Sequence, residues 1–265
     1  MSNHNFPTIY IQAIQAAINA SGVISEIYQE PITPTLKEDG SPVTKADLAS
    51  SKVIAETLLK TGIPITGEER EKRGFEIRSK WAENWCVDPL DGTRMFLKRN
   101  GEFSVNIAHI IDHQPAFGII ASPENKEVIV GGPEHGCFLI QFDDLEFPNK
   151  WESIAPPSSP NDPLRIICSH SYQPYHGGTD FEKYTENRPH EYVRRGSAIK
   201  FFNLALGSAD IYPRFAPTME WDIAAGHAIL NALGGSIVNA HTNEPLTYNK
   251  ESLYNPHFIA KTKVI

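Results

Sequence analysis

The chain of 265 residues has no basic excess: 24 Lys and Arg face 32 Asp and Glu, for a net charge of −8. Proteins that grip a nucleic-acid polymer gain much of their affinity by neutralising phosphates with a basic stripe. That stripe is missing, so long DNA or RNA is not an expected partner. A small anionic substrate stays in play, because a bound metal ion can invert the local charge. Cysteine is scarce too. Cys86, Cys137 and Cys168 are odd in number, far apart and without a Cys-x-x-Cys pair, which fits a reduced compartment better than a disulfide framework. No run approaches the ~20 apolar residues of a membrane span, and Met1 to Pro7 lacks the charged-then-apolar plan of a secretory leader. We expect a cytoplasmic protein, with at most a peripheral association with the inner membrane. Internal repeats and low-complexity tracts are also lacking. With 40% hydrophobic and 21% charged residues, the chain has the composition of an ordinary globular protein with a real core.

What is present reads as alternating blocks. Ile11, Ile14 and Ile18 fall at i, i+3 and i+7 and predict a helix with one buried face. Pro31 to Pro42, rich in Pro, Thr, Asp and Gly, reads as a loop. A second helix is expected from about Thr44, with Asp47 in its first turn, Leu48, Ala55, Leu58 and Leu59 on one side, and Gly62-Ile63-Pro64 as its stop. Trp85-Cys86-Val87 is a short apolar run that stops at Asp88. The alternation at Phe103, Val105 and Ile107, then short runs at Ala116 to Ala121, Glu127 to Val130 and Gly136 to Ile140, predicts an antiparallel meander. Pro148 to Pro163 holds five prolines and is the natural linker between an α+β half at 1–150 and an α/β half at 160–265. In the second half Leu164 to Ile167, Ala209 to Tyr212 and Ser236 to Val238 read as strands. Asp222 to Leu233 reads as a helix, with Gly226, Ile229, Leu230 and Leu233 on one face and Gly234-Gly235 as its end.

Three acidic signatures stand at element ends: Gly67-Glu68-Glu69, Asp88-Pro89-Leu90-Asp91-Gly92-Thr93 and Glu220-Trp221-Asp222. In the middle one, Pro89 blocks the ladder and Gly92 permits a tight turn. Two carboxylates and the Leu90 carbonyl then project together, the oxygen set that a hard cation such as Mg²⁺ takes. Gly92 and Thr93 add backbone N–H groups suited to an anion. Read alone, each signature has an ordinary explanation: an Asp-Gly turn, a solvated Glu pair, an Asp capping a helix. Their placement together is what suggests a site. His109 and His113 are four apart, but they lie in a strand pattern with no third ligand, so edge or surface histidines are expected rather than zinc. Lys98-Arg99 and Arg194-Arg195 read as solvated charge pairs, though Lys98-Arg99, only seven residues past Asp91, could also serve as cations near an anionic substrate.

The Glu-Glu, the Asp-Pro-x-Asp-Gly-Thr and the later Trp-Asp resemble the signatures of the lithium-sensitive, inositol-monophosphatase-like phosphatases, over nearly the whole chain. Ser41-Pro42-Val43-Thr44-Lys45-Ala46-Asp47, Phe96 to Phe103, Tyr212-Pro213-Arg214-Phe215 and Gly226-His227-Ala228 resemble the bacterial 3′(2′),5′-bisphosphate nucleotidase branch of CysQ type. The resemblance implies a layered αβαβα sandwich, α+β then α/β, with the site between its halves. It implies two or three Mg²⁺ ions on Glu68, Asp88, the Leu90 carbonyl, Asp91 and Asp222, and an attacking water oriented by Asp47 and Thr93 with Glu68 among the catalytic groups. Gly92 and Thr93 would hold the scissile phosphate, beside Glu68, Leu90, Asp91 and Asp222. His170, Ser197, Lys200 and Arg214 would hold the rest of a nucleotide. One departure lies at Cys168-Ser169-His170, where relatives often carry Arg near the first position. The implied reaction removes the 3′-phosphate of adenosine 3′,5′-bisphosphate, a by-product of sulfate assimilation, by in-line attack of water in a monomeric enzyme. The alternatives are an inositol or sugar monophosphatase, and a non-catalytic protein that binds nucleotide or metal.

Overall fold

The computed structural model describes residues 6–38, 40–172, 185 and 188–265. The first five residues, part of the segment that argued against a secretory leader, lie outside them, as does Asp39 in the proline-rich loop. The first helix is α1, Thr8–Tyr28. Its buried line is Tyr10, Ala13, Ile14, Ala17, Ala20 and Ile24, so Ile14 is central while Ile11 and Ile18 flank the seam. The segment expected to be plain loop contains a small antiparallel hairpin, β1 (Thr35–Leu36) and β2 (Pro42–Val43).

Helix α2, Lys45–Leu58, starts where Thr44 caps it. Its buried face is the expected one only in part: Ala55 and Leu58 are buried as expected. Leu48 and Leu59 are exposed, and Ala46, Ser50, Ile54 and Leu58 face inward at four-residue spacing. Alanines on α1 and the Ala46 and Ser50 side chains on α2 let the two helices pack closely. Small residues win over larger ones here because a close helix pair has no room for leucine.

The first sheet has seven strands in the order β3-β4-β5-β6-β7-β8-β9: β3 (Ile65–Gly67), β4 (Glu83–Asp91), β5 (Ser104–Ile111), β6 (Gln114–Ser122), β7 (Glu127–Gly132), β8 (Gly136–Gln141) and β9 (Glu152–Ser153). From β4 onward it is the expected meander; β3 joins parallel to β4. Short helices α3 (Phe75–Arg78) and α4 (Thr93–Leu97) flank β4. The expected linker contributes β9 to the edge of this sheet. Side chains alternate cleanly. Trp85, Val87, Val105, Ile107, Phe117 and Ile119 face α1 and α2, while Cys86, Ala108, Ile110, Ile120 and Ile129 face the second half.

The second sheet runs β11-β10-β12-β14-β13, from β10 (Leu164–Cys168), β11 (His190–Arg194), β12 (Ile211–Arg214), β13 (Ser236–Asn239) and β14 (Phe258–Lys261). Helices α5 (Ile199–Ala205) and α6 (Glu220–Ala232) lie between the sheets, α6 against β4 to β8 on one side and β13 on the other. This is why α6 is buried all round rather than on the single face expected: a helix between two sheets has no solvent side. The chain is thus a layered α+β sandwich, whose described residues build the order αβαβ.

Candidate active site

Asp88 pairs with Asn106, and Asp91 with Ser104, so β4 advances three residues where β5 advances two. The strand therefore does not stop at Asp88. It continues to Asp91 across a β-bulge, where Pro89 sits without breaking a ladder bond. The bulge swings Asp88 and Asp91 toward the same side. Gly92 follows at φ +89°, and a Cβ there would stand 3.0 Å from both the Glu102 carbonyl oxygen and the Ser197 Cβ. Only glycine suits both that backbone and that gap. Helix α4 begins at once with Thr93.

Asp47, 2% exposed, closes a capping box: its Oδ2 accepts from the Thr44 N–H at 2.7 Å and the Thr44 hydroxyl at 2.6 Å. Its other oxygen, Oδ1, accepts from the Thr93 hydroxyl at 2.9 Å. Burial raises the Asp47 carboxyl above the usual range, opposed by these hydrogen bonds. Glu68 follows β3, and Lys37 of the β1–β2 hairpin donates to its Oε1 at 2.7 Å and also to Glu69. Asp222 is the third residue of α6 and accepts from the Met219 N–H at 2.8 Å.

Asp88, Asp91 and Asp222 each present an oxygen within 4.8 Å of the others. Burial pushes the Asp88 carboxyl well up, with the charges of Glu68, Asp91 and Asp222 adding to it. Burial also raises Asp91, with Lys200 opposing. Asp222 is pushed up to about 8, by burial first and by Asp91 next. Carboxylates do not crowd like this without cost. An all-oxygen cluster whose members resist ionising together is what a hard divalent cation relieves, so the residues fit Mg²⁺.

A cleft of about 650 Å³ is lined by Glu68, Asp88, Leu90, Asp91, Gly92, Thr93, His170, Ser197, Lys200, Arg214 and Asp222. The residues expected to hold metal, phosphate and nucleotide therefore line one cleft, with Asp47 behind Thr93. Lys200 is no surface lysine: it is 4% exposed, donates to the Ser197 carbonyl, and burial lowers its ammonium to about 8 against the opposing charge of Asp91. Ser197 precedes α5 with φ +44°, so its place at the cleft comes from the turn before the helix rather than from a helical turn shared with Lys200. Arg214 donates to the Ser169 hydroxyl at 3.4 Å and the Pro217 carbonyl at 3.3 Å. Among the described residues it pairs with no acid, and its Nε has no partner. Lys98 lines the outer cleft with Arg94, while Arg99 turns away to the Tyr28 and Glu30 carbonyls.

The histidine expectation needs correction. His109 is 2% exposed on an interior strand, bonded to Tyr10 at 3.2 Å and Glu83 at 2.9 Å; His113 sits in the next turn against the Tyr248 carbonyl. His109 is thus a buried core residue rather than the expected edge or surface one, whereas His113 is exposed, as expected. Sequence reasoning also missed three neighbours of the site. The Ala198 N–H donates to Asp91 Oδ2 at 2.5 Å, Asn106 reaches the same oxygen at 3.3 Å, and Lys37 holds Glu68. A backbone donor has no sequence signal, and Lys37 was hidden in what read as a loop.

Residues 7–264 match the inositol monophosphatase family. The 3′(2′),5′-bisphosphate nucleotidase CysQ of Shigella flexneri is 37% identical over 262 residues, covering 93% of this chain and 97% of that protein. Its counterpart in Escherichia coli K12 is 37% identical over 254 residues, with the same coverage. The crystal structure of CysQ from Bacteroides thetaiotaomicron superposes with a TM-score of 0.84 at 37% identity, covering 98% of this chain and 99% of the other. An inositol monophosphatase from Anabaena, 23% identical with a TM-score of 0.70 over 95% of this chain and 89% of that one, shares the fold.

Proposed function

The chain belongs to the inositol monophosphatase family, and from that premise we propose that it is a phosphatase of 3′(2′),5′-bisphosphate nucleotides, hydrolysing the 3′-phosphate of adenosine 3′,5′-bisphosphate to AMP and phosphate. The observation that carries this reading is the pairing, in one cleft, of a crowded carboxylate cluster with Arg214, a cation that forms no salt bridge with an acid among the described residues. A monophosphate needs only the first. A second phosphate needs its own donors, and the Arg214 guanidinium supplies a suitable fork.

Glu68, Asp88, Asp91, Asp222 and the Leu90 carbonyl would hold two or three Mg²⁺ ions. When bound, the metal spreads the charge of the phosphate and makes water nucleophilic at neutral pH. The Thr93 hydroxyl, committed as donor to Asp47, keeps its lone pairs for the attacking water. Asp47 then takes up the proton in a pocket where burial already favours its protonated form. The backbone at Gly92 and Thr93 holds the phosphate for in-line attack, and His170 and Ser197 hold the sugar side. No covalent intermediate is involved. A cytoplasmic setting belongs to the same reading, supported by three buried free thiols.

Phosphate release over a panel of adenosine 3′,5′-bisphosphate, adenosine 3′-monophosphate, inositol monophosphate and a sugar bisphosphate tests the proposal. Fastest turnover on the nucleotide bisphosphate with Mg²⁺, loss with chelator or with Ca²⁺ alone, and inhibition by millimolar Li⁺ are expected. Preference for the inositol or sugar ester would sink the nucleotidase reading.

A further inference from the structure

Glu102 lies between α4 and β5, on the first half of the chain, with its side chain 20% exposed. Its Oε2 accepts from the Gly196 N–H at 2.7 Å and from His170 Nε2 at 2.5 Å. Asn100 Nδ2 stands 3.4 Å from the same oxygen, and Arg195 Nη1 4.0 Å from Oε1. One carboxylate thus ties down two loops of the second half: the one that carries His170 and the turn that leads into α5 and Lys200.

Backbone packing at the same spot is independent of that carboxylate. A Cβ on Gly196 would stand 2.6 Å from Met95 Cγ and 2.9 Å from the Glu102 carbonyl oxygen, and that carbonyl also crowds Gly92. The phosphate turn, the Glu102 segment and the turn at 196–198 are therefore in direct contact with no slack. From that second turn, Ser197 faces the cleft and the Ala198 N–H reaches Asp91.

We propose that Glu102 is a positioning residue for nucleotide recognition: it holds His170 and the Gly196–Ala198 turn against the phosphate turn, so that the substrate's sugar side meets a preset wall. This rests on the nucleotidase reading above. An ionised carboxylate can only accept, so the proton on His170 is committed to Nε2 and Nδ1 is the nitrogen left for the ligand. Glu102 touches neither metal cluster nor phosphate, and acts through the groups it holds.

The test uses the Mg²⁺-loaded full-length enzyme with Glu102→Ala, Glu102→Gln, His170→Ala and the Glu102→Ala/His170→Ala pair. Three quantities are read: KM for adenosine 3′,5′-bisphosphate, and Ki for the two products, AMP and inorganic phosphate. Losing charged hydrogen bonds of this kind should raise KM and Ki for AMP about tenfold or more in Glu102→Ala, with Ki for inorganic phosphate and kcat within about threefold. Glu102→Gln, whose amide oxygen can accept from both donors, should recover most of the loss. The double variant should cost little more than Glu102→Ala alone, because the pair acts as one unit. If Glu102→Ala does not fold, Glu102→Asp, which retracts the carboxylate by one methylene, replaces it with the same expected split. Equal weakening of AMP and inorganic phosphate, additive losses in the double variant, or a wild-type KM would each overturn the assignment. Wild-type enzyme that released no phosphate from the bisphosphate would fail the nucleotidase reading itself, and this proposal with it.

Discussion

Asp91 is fixed before any cation arrives, since the Ala198 N–H and Asn106 both hold its Oδ2. Asp91→Asn keeps the shape and removes the charge. It should cost several kcal/mol of transition-state stabilisation, on the order of 10³ in kcat, with little change in melting temperature; near-normal kcat would remove Asp91 from the ligand set. Arg214→Ala should lose about 1.5–3 kcal/mol on the 3′,5′-bisphosphate and much less on adenosine 3′-monophosphate, read as kcat/KM on each. Lys200 behaves differently. Its ammonium opposes the Asp91 charge from a buried position, so Lys200→Ala should weaken turnover of both substrates. The acidic residues were legible because each carries its reason in its neighbours: a proline, a glycine, a helix start. Lys200, Ala198 and Lys37 were not, because their meaning lies in what folding brings beside them.

At the scale of elements, the joint between α6 and the first sheet is the tightest. A Cβ at Gly118 on β6 would overlap the Ala225 carbonyl oxygen of α6, and one at Gly226 would overlap the Phe201 ring of α5. Gly118→Ala should cost about 1–3 kcal/mol or more by overpacking. It should cost more than Gly226→Ala, because a ring can tilt where a helix backbone cannot. Chemical denaturation of the two variants decides the order. The meander was readable from alternation, and α2 from Thr44 with Asp47. The face of α2 was legible at Ala55 and Leu58 and misread at Leu48 and Leu59, which look like core residues, while the helix pair selects Ala46 and Ser50. The strands β3, β11 and β14 left too short a pattern; their partners are distant in sequence, and pairing rather than propensity makes them strands.

For the whole molecule, pH acts through two opposed groups. His227, in the middle of α6 and bonded to Tyr248 at 2.8 Å, is lowered by burial from 6.5 to about 4. The unfolded chain binds its proton first, so this group's contribution is present above pH 6.5 and is lost as pH falls toward 4, by at most about 3 kcal/mol. His227→Gln should flatten that acid limb of the melting curve. Asp222 runs the other way. Raised from 3.8 to about 8 in the metal-free protein, it favours the fold at low pH, and that favour is lost as pH rises toward 8. Mg²⁺ requires the ionised form, so the rise in melting temperature on adding Mg²⁺ should grow with pH up to about 8. A rise that is flat in pH would detach Asp222 from the metal.

The position of α6 between the sheets also has a consequence for biosynthesis. Emerging from the ribosome, the chain completes all strands of the first sheet by Ser153, long before α6 begins at Glu220. Until then the face formed by Cys86, Ala108, Ile110, Ile120 and Ile129 is an uncovered apolar surface on a nascent polypeptide. Ribosome-stalled chains ending near residue 200 should therefore bind chaperone holdases and hydrophobic dyes, and release them once α6 has cleared the exit tunnel.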